Sequence, residues 1–178
     1  MALSLNDLTP EFAAKVATLL ARCKAKGCEL RPYMTLRDPF EQARLWRRSR
    51  SSEEINSQLA ALELDGASFL AHTIRSVGPQ NGAPVTNALP GLSWHQWGEA
   101  VDCFWVVNGQ SEWSAERMVA GRNGYQVLAA EAKAMGLTAG GLWPTLKDWP
   151  HVQLRPAGSP RSLMSMWEID QAMSKRFG

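Results

Sequence analysis

The run EAVDCFWVV, Glu99 to Val107, followed at once by Asn108-Gly109, most constrains the fold. Nine residues rich in β-branched and aromatic side chains read as a strand. Asn-Gly directly behind them supplies the two positive-φ positions of a two-residue hairpin turn. A strand that turns back on itself there belongs to an antiparallel sheet. The period of two sends Val101 and Cys103 to one face, toward a core, and leaves Asp102 with Ala100 on the other.

The rest of the chain alternates helix and strand signals. Thr9-Pro10-Glu11 reads as an N-cap, a proline at the first helical position and an acid in the first turn. The helix runs over 9–26, with Phe12, Val16, Leu19, Leu20 and Cys23 on one face and Gly27 as its stop. Cys28 to Leu36 reads as a strand. Asp38-Pro39 opens a second helix, through Gln42, Leu45 and Trp46, closed by the basic run Arg47 to Arg50. Ser51-Ser52-Glu53-Glu54 starts a helical stretch to about Arg75, with Gly66 placed to divide it. Gly78 to Gly91 is a Gly/Pro/Asn-rich loop. Asn123 to Met135 is amphipathic and stops at Gly136, His151 to Leu154 is a short strand, and 159–177 forms a last helix with Leu163, Met166, Trp167, Ile169 and Met173 on its apolar side. The 178 residues show no internal repeat and no long linker. The reading is one α+β domain over 1–178, with a small, mainly antiparallel sheet flanked by helices.

Composition closes off several function classes. Lys and Arg total 19 against 17 Asp and Glu, a net charge of +2, too weak to argue for nucleic acid and suited at most to a polyanionic surface. No segment approaches the roughly 20 apolar residues of a membrane span. MALSLNDLTP has no basic leader region, so no secretory signal is expected. Cys23, Cys28 and Cys103 lack zinc-knuckle or disulfide spacing and read as buried or free thiols of a reducing compartment.

His95 and Asp102 lie seven residues apart, an odd number that places them on opposite faces of one regular strand. Both can reach one metal if the chain bends between them, and Gly98 is there to bend. A catalytic zinc takes three protein ligands and leaves one position open. Among the other histidines, His72 sits on a helix without an acid nearby and reads as a surface or packing residue. His151 follows Asp148 by three residues, with Pro150 stiffening the link. A carboxylate beside the metal can serve as general base. Arg37, between a strand and a helix, could bind a carbonyl or carboxylate, or simply pair with Asp38 or Glu41 at the surface. H-x6-D and D-x-x-H are each weak patterns, and two such pairs arise by chance in many proteins.

The longer pattern is more specific. SWHQWGEAVD resembles the S-x-H-x-x-G-x-A-x-D signature of zinc D-alanyl-D-alanine carboxypeptidases (VanY-like) and the related phage endolysin L-alanyl-D-glutamate endopeptidases. Ser93, His95, Gly98, Ala100 and Asp102 fill its fixed positions. KDWPHVQL resembles the acid-x-x-His segment, Arg37 and Gln42 in LRDPFEQARLW resemble an arginine followed five residues on by glutamine, and TNALPGL is similar to the approach to the first motif. The likeness spans about 33–154. Two departures bear on substrate preference: Arg37 is followed by Asp38 and Pro39 where serine is common, and the segment 51–77 is longer than usual.

This resemblance implies a hedgehog/D-Ala-D-Ala-peptidase-like fold and one zinc held by His95, Asp102 and His151. It implies Asp148 as the base, Arg37 on the oxyanion, Gln42 supporting Arg37, and Ser93 touching substrate or steadying its loop. Trp94 and Trp149, with Trp97 and Trp143, either wall the cleft or pack the interior. The implied partner is bacterial peptidoglycan, with no nucleic acid, no membrane insertion and a monomeric protein. Aspartate rather than glutamate at position 148 is similar to the phage-type L-alanyl-D-glutamate endopeptidases. The expectation is therefore an endolysin made in the host cytoplasm and acting on the wall after release. A D,D-carboxypeptidase removing terminal D-Ala is the near alternative, and a zinc-stabilised wall-binding module without turnover the distant one. The basic tail (Arg155, Arg161, Lys175 and Arg176) reads as a solvated helix face rather than a wall-targeting element.

Overall fold

A computed structural model describes residues 4–178. In chain order the elements are α1 (Pro10–Ala25), β1 (Glu29–Met34), α2 (Pro39–Arg47), α3 (Ser52–Leu64), α4 (Ser68–Ser76), β2 (Ala100–Val107), β3 (Gln110–Glu112), α5 (Gly124–Ala134), β4 (Thr138–Ala139), β5 (His151–Gln153) and α6 (Met166–Phe177). The class is α+β. The chain divides into two compact units, one of the residues up to Leu36 with Gly98–Pro156, the other of Arg37–Trp97 with Ala157–Gly178.

The first unit holds the whole sheet, in the order β1-β2-β5-β4, every pairing antiparallel. β3 joins β2 beyond β5 through the Asn108-Gly109 turn, whose φ values of 51° and 79° are the two positive angles that the residue pair supplies. Val101, Cys103 and Trp105 point into a core completed by Phe12, Val16 and Leu19 of α1 and by Tyr125 and Leu128 of α5. Full burial of each such apolar side chain contributes roughly 1.5–3 kcal/mol. α5 approaches β2 closely because it begins at Gly124, where a Cβ would stand 2.3 Å from the Trp105 ring. Cys23, Cys28 and Cys103 are free and buried. Burial raises their thiol pKa values, that of Cys23 to about 12.

The second unit is helical. Asp38 caps α2 and Ser51 caps α3 with a complete capping box. Gly66, at φ 72°, divides α3 from α4 where the sequence places the break. Its core gathers Trp46, Leu62, Leu70, Ile74, Ile169 and Met173. Gly91 belongs to it, since at φ 83° a Cβ would lie 2.5 Å from Ile169 Cγ2.

Three local expectations change. Thr9 makes no side-chain cap; its backbone N–H donates to Gly98 O instead. The last helix starts late, at the Ser165 capping box, so Leu163 precedes it. Its buried face is Met166, Ile169 and Met173, while Trp167 turns outward beside Gly66. β4, only two residues long, has no period for a sequence to display. Among the described residues no helix is long and apolar enough to cross a membrane.

Candidate active site

In the sheet unit, Asp102 and His151 are direct partners in the β2–β5 ladder. Facing residues of paired strands project to the same side, so their side chains meet on the face opposite the core. His151 Nδ1 lies 2.9 Å from Asp102 Oδ1 and Nε2 lies 3.0 Å from Gln153 Oε1. Gln153 Nε2 donates to Arg155 O, which turns its amide oxygen toward the ring. A neutral imidazole has one N–H. When Nε2 keeps it for Gln153, Nδ1 presents a lone pair to a carboxylate at hydrogen-bond distance. Only a cation on that line, a proton or a metal ion, makes the arrangement attractive. Burial lowers the His151 pKa, but the hydrogen bond and charge of Asp102 outweigh it and hold the ring above the ordinary histidine value. A carboxylate and an imidazole so disposed are the donor chemistry of zinc. Gln153 holds the other ring nitrogen of His151, the place that outer partners take on metal-bound histidines.

Asp148 stands in the loop before β5 and is exposed. Its N–H donates to Gly140 O at 3.1 Å and its carbonyl accepts from the N–H of His151 at 3.2 Å. The loop lies flat on two glycines. A Cβ at Gly140 would be 2.3 Å from Asp148 O, and one at Gly141 would be 2.3 Å from the Trp149 ring. Trp149 is half-buried against the core, with Lys147 Nζ 5.4 Å from its ring. Trp143 packs on His151, ring centres 5.3 Å apart. Glu99 is buried and held by Arg155 through two hydrogen bonds of 2.7 and 2.8 Å.

The helical unit carries the other expected residues. His95 is buried on a short 3-10 turn, Trp94–Trp97. Ser93 closes that turn: its carbonyl accepts from the N–H of Gln96 and its Oγ from the N–H of His95. The backbone N–H of Arg37 donates to His95 O at 3.3 Å. Gln42, fully buried, receives Arg37 Nη1 on Oε1 at 3.0 Å and donates to Ala88 O at 2.8 Å. The same Oε1 accepts from Gln96 Nε2 at 3.1 Å, and Gln96 Oε1 accepts from the Gly91 N–H. Arg37 is thus aimed by a relay of amides, and its buried Nε has no partner. A guanidinium held in this way presents its fork in a fixed direction, which suits a carbonyl or carboxylate. Trp94 is buried and donates to Ala157 O, Trp97 donates to Gly91 O, and His72 is exposed beside Phe40 and Ser76.

Gly98, the next residue along the chain from that turn, has φ 69°, so a bend separates His95 from the start of β2. Gln96, Gly140, Gly141 and Gln153 were not singled out from the sequence. Gln96 falls on an unspecified position of its motif and Gln153 beyond the acid-x-x-His step, and the Gly140-Gly141 pair after β4 was the one legible hint that something packs closely there.

A family model described as VanY: D-alanyl-D-alanine carboxypeptidase matches residues 5–140. That stretch holds Arg37, Gln42, Ser93, His95 and Asp102 and ends before Asp148 and His151. Among solved structures, the crystal structure of Serratia marcescens L-Ala D-Glu endopeptidase ChiX is similar over 89% of this chain and 86% of that chain, at 19% identity and a TM-score of 0.43.

Proposed function

Because the chain belongs to the VanY family of D-alanyl-D-alanine carboxypeptidases, and so to the peptidases of peptidoglycan, we propose that it is a zinc peptidase that hydrolyses the L-alanyl-D-glutamate bond of peptidoglycan stem peptides. The observation that carries the metallopeptidase reading is the buried Asp102–His151 pair, with Gln153 Oε1 on the other ring nitrogen. His95, Asp102 and His151 are the buried donors that would hold the ion. Zinc held there would supply Lewis acidity, lowering the pKa of a water to about 7 and polarising the peptide carbonyl. Asp148, in solvent reach and tied by its backbone to His151, accepts the proton of the attacking water on its carboxylate and returns it to the departing amine. Arg37, held by Gln42, donates to the oxygen on which negative charge develops.

The choice of bond, and with it a role as a phage or prophage endolysin, is supported by the aspartate at position 148, similar to the phage-type endopeptidases. The second reading, a D,D-carboxypeptidase, is supported by the match to a family model described as D-alanyl-D-alanine carboxypeptidase.

Digestion of purified peptidoglycan with and without chelator, read by mass spectrometry, tests both. Stem peptides with a new D-Glu amino terminus, lost on chelation and restored by zinc, are the expected products. Release of terminal D-Ala alone moves the assignment to the carboxypeptidase. A zinc-loaded protein that cleaves no wall type sinks both readings.

A further inference from the structure

Beside the Asp102–His151 pair lies a feature that this chemistry does not use. Three aromatic side chains, one each from three neighbouring strand positions, meet: Tyr33 of β1, Phe104 of β2 and Trp113 directly after β3. Trp113 stands edge-on to Tyr33, with ring centres 5.3 Å apart and planes at 79°. Phe104 is 5.9 Å from Trp113 and 6.4 Å from Tyr33. Trp113 remains 55% exposed and Tyr33 36%, with Phe104 half-buried between them. Large apolar rings kept together in water mark a binding surface more often than scattered ones do.

Their position is specific. Phe104 is two residues from Asp102 on the same strand, hence on the same face, away from the core and roughly 7 Å along it. Tyr33 adjoins Met34, which pairs directly with Asp102 across the β1–β2 ladder. The aromatic platform therefore begins where the metal-competent pair ends.

We propose that the Tyr33–Phe104–Trp113 platform is a subsite for the N-acetylmuramoyl sugar that carries the stem peptide. This rests on the L-alanyl-D-glutamate reading. In such a stem the amine of L-Ala is joined by an amide bond to the carboxyl of the lactyl group, which an ether oxygen ties to the sugar ring. One amino acid and one lactyl unit therefore separate the scissile carbonyl from the pyranose, about two residues of extended chain or roughly 7 Å. That matches the offset from Asp102 to Phe104. A pyranose has an apolar C–H face and a polar rim, and exposed aromatic rings cover such a face while leaving the rim in water. The terminal D-Ala–D-Ala bond lies several residues further from the sugar, so a carboxypeptidase working there would leave the platform empty.

The test compares two substrates with the same stem tetrapeptide, one bare and one joined to N-acetylmuramic acid, for wild type, Trp113→Ala and Trp113→Phe. The expected result is a wild-type KM about fivefold to tenfold lower for the muramoylated substrate. Trp113→Ala should abolish that advantage with kcat for the muramoylated substrate preserved, and Trp113→Phe should keep most of it. Equal wild-type KM values, or a Trp113→Ala variant that raises both KM values alike, would overturn the subsite. If neither substrate is cleaved, the peptidase reading fails by itself. Saturation-transfer NMR with N-acetylmuramoyl-L-alanyl-D-isoglutamine then decides the platform. Contacts to the sugar-ring protons that vanish in Trp113→Ala support it, and their absence in wild type sinks it.

Discussion

The two units hold their candidate side chains by different means. In the sheet unit, Asp102 and His151 face each other because their backbones are ladder partners, and Asp148 is pinned by main-chain bonds to Gly140 and His151. In the helical unit, Arg37 is aimed by a chain of side-chain amides, Gln42 to Gln96 to the Gly91 N–H. Backbone register survives most side-chain changes but not a change of strand geometry. An amide relay fails when any one member is lost, because buried polar groups left unpaired cost about 1–3 kcal/mol each.

The largest effect sharpens this contrast at the chemistry itself. Asp148→Ala should lower kcat about 10²- to 10⁴-fold while leaving bound zinc near one per chain by metal analysis. Full activity in that variant would remove Asp148 as the base. Arg37→Ala should cost about 10²- to 10³-fold, the effect of one donor to a developing oxyanion. Next comes Gly140→Ala, which sets a methyl group against Asp148 O and the His151 side chain. The main chain must move, so an activity loss of tenfold or more is expected, and unchanged kinetics would show that the loop tolerates displacement. Gln42→Leu attacks the other unit. It strands Gln96 Nε2 and Ala88 O, and denaturant melts should show a loss of roughly 2–4 kcal/mol with a weakened kcat. A loss below about 0.5 kcal/mol would mean that the relay is not rigid.

The smallest effect is electrostatic. Glu131 on α5 accepts from Lys26 and Arg22, and those bonds hold its carboxyl below the usual carboxylate range. A depressed folded pKa means stabilisation present above the unfolded value and lost as pH falls through the folded one. Wild type should therefore melt above Glu131→Gln at neutral pH, and the gap should close below about pH 4. A gap that persists in acid would trace to packing rather than charge.

Most helix starts were legible because capping is local: Asp38, Ser51 and Asn123 each accept from the first turn behind them. The hairpin was legible because Asn108-Gly109 states its dihedrals. Trp167 was misplaced because a period of 3.6 cannot be phased until the cap is known, and Ser165 sets it later than the apolar residues suggest. As candidates, His95, Asp102, Asp148, His151 and Arg37 were nameable in the sequence because their chemistry is rare and their spacing familiar. Gln96 and Gln153 were not, because an amide gains its role only from what the fold places three ångströms away. The Tyr33–Phe104–Trp113 cluster was hidden for a related reason, since alternate strand residues look like any half-buried face.

The pairing of β1 with β2 also has a kinetic side. Met34 sits opposite Asp102, 68 positions along the chain, and all the helices of α2 to α4 lie in the interval. Joining such distant segments from an unfolded coil carries a closure entropy that grows with loop length, and non-local pairing is slow. Local helix contacts in the interval form first and shorten the free loop. The pairing of β1 with β2 beside Asp102 is then among the last to form, after the local β2–β3 hairpin.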